Sequence, residues 1–190
     1  MRLSPNLTHF VTRFQLQPPQ PGRAATHTRQ AAVLIPIINR PQPTLLLTRR
    51  ALGMRQHPGQ VAFPGSAHDA HDACAAATAL REAAEEIALS PRHATILGQL
   101  PAEDSSSGFC VTPVVALLSP ELTLRPNPQE VAEIFEIPLV HALDIRRYHA
   151  LDISRAGQNH RLYLSSYRNF LIWGLTAAML RRLAIQVASR

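Results

Sequence analysis

Two apolar runs set the architecture. "AAVLIPIIN" (residues 31–39) and "TLLLTRR" (residues 44–50) are short, rich in leucine and β-branched residues, and separated by the turn-forming "RPQP". That pattern suits two buried strands joined by a turn. "ATILGQL", "VTPVVALL", "ELTLRP" and "EIFEIPLV" are further strand candidates, and "QVAF" (residues 60–63) reads as a brief one. Between them, residues 73–89 contain no proline or glycine and are dominated by alanine, which predicts a helix with Asp72 as its N-cap. Ser90-Pro91 is expected to end it. A second helix is expected over residues 168–190, with Ile172, Leu175, Met179 and Leu183 on one face. Strands mixed with two helices predict a layered α/β or α+β domain.

At 190 residues, with 46% hydrophobic content, the chain can bury one core without staples. Residues 1–29, proline-rich toward their end, are expected to form an N-terminal arm packed on or leading into a single domain over residues 30–190. No stretch reaches the roughly 18–20 apolar residues of a bilayer span, so the chain reads as cytoplasmic. Its two cysteines, Cys74 and Cys110, are too few for a disulfide framework. A net charge of +6 permits a phosphorylated ligand. Nucleic acid is disfavoured, because the arginines occur in pairs (Arg49 and Arg50, Arg146 and Arg147, Arg181 and Arg182) and no basic block forms.

The 73–89 helix concentrates acid in a basic chain. Glu82, Glu85 and Glu86 stand at i, i+3 and i+4, which places them on one side, with Leu80, Ala83, Ala84 and Ile87 expected to face the core. Like charges so grouped repel, and a hard divalent cation, Mg²⁺ or Mn²⁺, is their natural counter-charge.

The stretch "GSAHDAHDACAAATALREAAEEIAL" resembles a Nudix box, and "LLLTRRALGMRQHPGQVAFPGS" is similar to the signature preceding that box in the coenzyme A pyrophosphatase branch of the Nudix hydrolases. The chain departs from the box at Ser66 and Ala88, where glycine is usual, and at Asp72, which lies near the usual glutamate. The resemblance implies an α/β/α sandwich with a mixed sheet and Mg²⁺- or Mn²⁺-dependent cleavage of a nucleoside diphosphate linked to another moiety. For this branch the substrate implied is coenzyme A or its thioesters.

In that framework Glu82, Glu85 and Glu86 are the expected metal ligands, with Glu85 as a third ligand or the base for the attacking water. A distal acid is expected from "NPQEVAEIFEIPL", with Glu130 favoured over Glu133 and Glu136. Arg49, Arg55 and His57 are expected to meet substrate phosphates. His68, His71 and Cys74 match no common zinc spacing. The alternatives are a Nudix hydrolase of NADH, ADP-ribose or a nucleoside triphosphate, and a nonenzymatic nucleotide- or RNA-binding module.

Overall fold

The computed structural model of the chain describes residues 2–17 and 25–188. In chain order its elements are α1 (Pro5–Leu16), β1 (Arg29–Ile38), β2 (Thr44–Arg50), β3 (Val61–Ala62), β4 (Gly65–Ala67), α2 (Ala75–Ile87), β5 (Ala94–Gln99), β6 (Glu103–Asp104), β7 (Phe109–Leu118), β8 (Val131–Pro138), the short α3 (Leu139–Ala142), β9 (His149–Arg155), β10 (Gln158–Tyr167), β11 (Phe170–Trp173) and α4 (Gly174–Val187). An eight-stranded mixed sheet holds β1 and β7 as a parallel central pair, with β2 and β5 flanking them. β9, β10 and β11 form a separate antiparallel sheet.

The period-two geometry of a strand divides the core. Ala32, Leu34 and Ile38 of β1, Leu46 of β2, and Val114, Ala116 and Leu118 of β7 meet Ala79, Ala83 and Ile87 of α2. Their sequence neighbours Ala31, Ile35, Ile37, Leu45, Leu47, Val115 and Leu117 point the other way, onto Leu7, Phe10 and Phe14 of α1 and Ala177, Met179, Leu180 and Leu183 of α4. The result is the expected α/β/α sandwich. Because β1 and β7 are covered on both faces, they read as continuous apolar runs.

Several expectations are corrected. "ELTLRP" forms no strand. It crosses the end of α2, where Arg125 N–H donates to the Ile87 carbonyl at 3.1 Å and Asn127 N–H to the Glu86 carbonyl at 2.8 Å. Those carbonyls have no partner within the helix, so the segment serves them in place of a sheet ladder. The C-terminal helix begins at Gly174, because residues 170–173 pair with β10 as β11. Ile172 is therefore a buried strand residue, while Met179 and Leu183 keep the inner face of α4. α1 lies within the stretch read as an arm, capped by Ser4, whose hydroxyl accepts from Leu7 N–H. Of the arm expected over residues 1–29, residues 18–24 lie outside the described residues. The β9–β10 hairpin, absent from the sequence reading, turns through Ala156 and Gly157 at φ 51° and 74°, and its register sets Gln158 opposite Arg155. Two consecutive left-handed residues are what a two-residue hairpin with the proper twist requires.

α2 is capped differently from the sequence reading. Its N-cap is Cys74, with no side-chain cap, while Asp72 turns back to Arg81. It ends before Ser90, at Ala88, which is left-handed at φ 56°, ψ 31°. Ala84 is exposed, because it lies about a quarter turn round the helix from Ala83, at the edge of the buried face. The left-handed conformation costs an alanine roughly 1 kcal/mol that glycine does not pay. Ala88→Gly is therefore expected to raise the melting temperature by about 2–4 °C, read by calorimetry without metal. An unchanged or lower value would show that Ala88 is not strained.

Candidate active site

The end of α2 gathers the acidic residues. A helix advances 100° per residue, so Glu82 and Glu86 are separated by a small angle, and Glu85 is displaced to the side. The structure follows this division and corrects the reading of one acidic face. Glu82 and Glu86 are buried, 8% and 6% exposed, whereas the Glu85 side chain is 55% exposed. Among the described residues, no three His, Cys, Asp or Glu side chains gather closely enough to ligate one ion as they stand. This covers His68, His71 and Cys74 too.

Burial in low dielectric disfavours the charged form of both glutamates. It pushes the Glu86 carboxyl up to about 8, against a weak opposing hydrogen bond from Gly65 N–H at 3.3 Å. Glu82 is raised for the same reason, partly offset by the Arg81 guanidinium, which donates to Glu82 Oε1 at 2.6 Å. The charge of Glu130, just before β8, raises both further. Glu130 is held beside the pair because its N–H donates to the Asn127 carbonyl while Asn127 N–H binds the Glu86 carbonyl. The alternatives considered with it are committed elsewhere: Glu133 pairs with Arg49 at 2.9 Å, and Glu136 with Arg40 at 2.6 Å.

The loop over residues 51–60 arches from the end of β2 to β3. Arg50 closes it at both ends, its N–H donating to the Gln60 carbonyl, its carbonyl accepting from Gly59 N–H, and its Nε donating to the Gln56 carbonyl at 3.2 Å. Arg55 and His57 are exposed on this loop, and His57 is left-handed at φ 52°. Arg49 is half-exposed, paired with Glu133, and sits 6.0 Å from the centre of the Phe170 ring. Arg50, which the sequence reading left out of the site, is close enough for its charge to favour ionised Glu86. Its place beside Arg49 in a strand was the available signal, since adjacent strand residues face opposite sides.

β4 carries the backbone past the carboxylates. A Cβ on Gly65 would lie 2.3 Å from the Ala32 carbonyl oxygen, so only glycine fits there. Ser66 keeps a negative φ, and the strand tolerates it where glycine was expected. Behind β4, Asp72 accepts from Arg81 Nε at 3.0 Å and Nη2 at 2.8 Å, a bidentate contact that holds its carboxyl well below the usual range.

Buried glutamates beside a glycine-tight strand, at the end of the helix of an α/β/α sandwich, define a family. A family model described as the NUDIX domain matches residues 28–156, and the chain belongs to the Nudix family of hydrolases, which act on pyrophosphate bonds. The chain is 56% identical to the uncharacterized Nudix hydrolase NudL of Yersinia enterocolitica, over 95% of its own length and 93% of that protein. Against the protein of the same name from Klebsiella pneumoniae it is 52% identical, over 97% and 96%. Among solved structures it is similar to RenU, a Nudix hydrolase from M. smegmatis, with a TM-score of 0.53 and 25% identity, covering 67% of this chain and 81% of that one.

Proposed function

We propose that the chain is a Mg²⁺- or Mn²⁺-dependent pyrophosphohydrolase of coenzyme A or its thioesters, giving 3′,5′-ADP and (acyl-)4′-phosphopantetheine. The observation that carries the hydrolytic part is the buried Glu82–Glu86 pair with Glu130 beside it. Two carboxylates out of water need a counter-charge, and Arg81 reaches only one of the pair. Their hard oxygen donors fit Mg²⁺ or Mn²⁺. Glu82 and Glu86 would hold the ion, joined by Glu85 or Glu130. When bound, it would supply charge stabilisation at the diphosphate and a lowered pKa for the attacking water. Glu85, accessible at the rim, and Glu130 are the candidates to take that water's proton. A cytoplasmic setting suits the unpaired thiols Cys74 and Cys110.

The coenzyme A reading rests on the continuity of residues 45–66. The segment that resembles the branch signature is nearly all of β2, the 51–60 loop, β3 and the start of β4, where Gly65 lies beside Glu86. Arg55 and His57 stand exposed on it and would meet the phosphates. Arg49 would do so on leaving Glu133.

Dephospho-coenzyme A, which lacks the 3′-phosphate, is expected to be hydrolysed with kcat/KM about tenfold to a hundredfold below that of coenzyme A, the worth of one charge-assisted contact. Arg55→Ala should shrink that ratio more than it slows diphosphate cleavage in general. Steady-state kinetics on both substrates decides it. Equal efficiency removes the phosphate-reading role, and faster cleavage of NADH or ADP-ribose moves the substrate to another class.

A further inference from the structure

A chain of hydrogen bonds runs behind the carboxylates. His68 Nδ1 lies 2.9 Å from Thr78 Oγ1, which lies 2.9 Å from Asp72 Oδ2, which receives Arg81, which grips Glu82. Thr78 is fully buried in the first turns of α2, and the Asp72 side chain is 6% exposed. At its outer end, His68 and Thr78 wall a cleft of about 130 Å³ with Gln30 and Thr112.

Proton counting gives the chain a direction. A hydroxyl has one proton to donate, and Asp72, ionised against Arg81, can only accept. The Cys74 carbonyl, the other acceptor within reach of Thr78, is farther at 3.4 Å. The Thr78 proton therefore goes to Asp72, leaving the hydroxyl oxygen as an acceptor. His68 must then donate from Nδ1, whether the ring is neutral or charged.

We propose that Thr78 is a positioning residue of the carboxylate site: through Asp72 and Arg81 it fixes Glu82, and at its other end it locks His68 as the Nδ1–H tautomer. The first half rests on the reading of Glu82 as a metal ligand, while the second stands on the hydrogen bonds alone. Partners hydrogen-bonded to a ligand set its orientation, and their loss typically weakens metal binding tenfold or more; Arg81 is that partner for Glu82, and Thr78 acts on it through Asp72.

The test uses the full chain with Thr78→Val, which keeps the shape and removes the hydroxyl, and Thr78→Ser, which restores it. Nitrogen-detected NMR of the neutral His68 ring should show Nδ1–H in wild type and in Thr78→Ser, and the Nε2–H form that free imidazole prefers in Thr78→Val. Mn²⁺ titration followed by electron paramagnetic resonance should show about tenfold weaker binding in Thr78→Val and wild-type binding in Thr78→Ser. An Nε2–H ring in wild type overturns the proposal, as does a folded Thr78→Val that binds Mn²⁺ as tightly as wild type. Wild-type protein that binds no Mn²⁺ but carries the Nδ1–H ring would strike the metal-site reading, and Thr78's reach to Glu82 with it.

Discussion

Glu86→Gln is expected to lower turnover by about a hundredfold or more, because on the proposed reading charge stabilisation by the ion it holds would supply several kcal/mol of the barrier reduction. The same substitution should reshape the stability of the metal-free protein. Burial raises the Glu86 carboxyl to about 8 in the folded state, against an ordinary value near 4.3 in the unfolded chain. Between those values the native state holds a proton that the unfolded state has released, so stability falls as pH rises. The contribution is fully present below the unfolded value and is lost as pH climbs through the folded one. Its steepest slope is about 1.4 kcal/mol per pH unit. Urea melts in chelator at pH 5.5, 6.5 and 7.5 should show this decline in wild type and a flatter profile in Glu86→Gln. Wild-type turnover in the mutant would return the residue to a structural role.

Chelation should abolish activity altogether, and returning Mg²⁺ or Mn²⁺ should restore it. On the proposed reading an ion would bind the folded carboxylates and not the unfolded chain, so at a hundred times its dissociation constant it would add about 2.7 kcal/mol. For a chain of this size that is a rise of roughly 5–10 °C in melting temperature. Glu82→Gln should lose most of that rise. Activity undiminished in EDTA would end the metal-dependent reading.

The sequence carried the central strands and α2 because their signals are local. "AAVLIPII" and the leucines of "TLLLTRR" are apolar on both faces, and a proline-free alanine run has few alternatives to a helix. What it hid was decided by tertiary contacts. "ELTLRP" alternates like a strand, yet its backbone serves the carbonyls that α2 leaves open. Residues 170–173 share a helical apolar pattern with α4, and only pairing with β10 makes them a strand. α1 is absent from the sequence expectations, yet its signal is local: Leu7, Phe10 and Phe14 fall at helical spacing behind Ser4-Pro5. At the site, residue type and spacing picked out the glutamates but not their depth. That Glu82 and Glu86 are buried while Glu85 meets solvent depends on where the 119–130 segment and β4 close over the helix.

That closure has a kinetic meaning. Glu130 reaches the pair only after α2 has ended, the 119–130 segment has taken its carbonyls, and β8 has paired with β2 across a long stretch of chain. Contacts so distant in sequence carry the larger loop-closure cost and are expected to form after the local ones. If so, a partly folded chain would offer the proposed ion no finished site, and the ion would not template the search for the fold. Its stabilisation would then fall on the return barrier: on the proposed reading, bound metal is expected to slow unfolding and to leave the folding time almost unchanged, which stopped-flow folding and unfolding with and without Mg²⁺ would check.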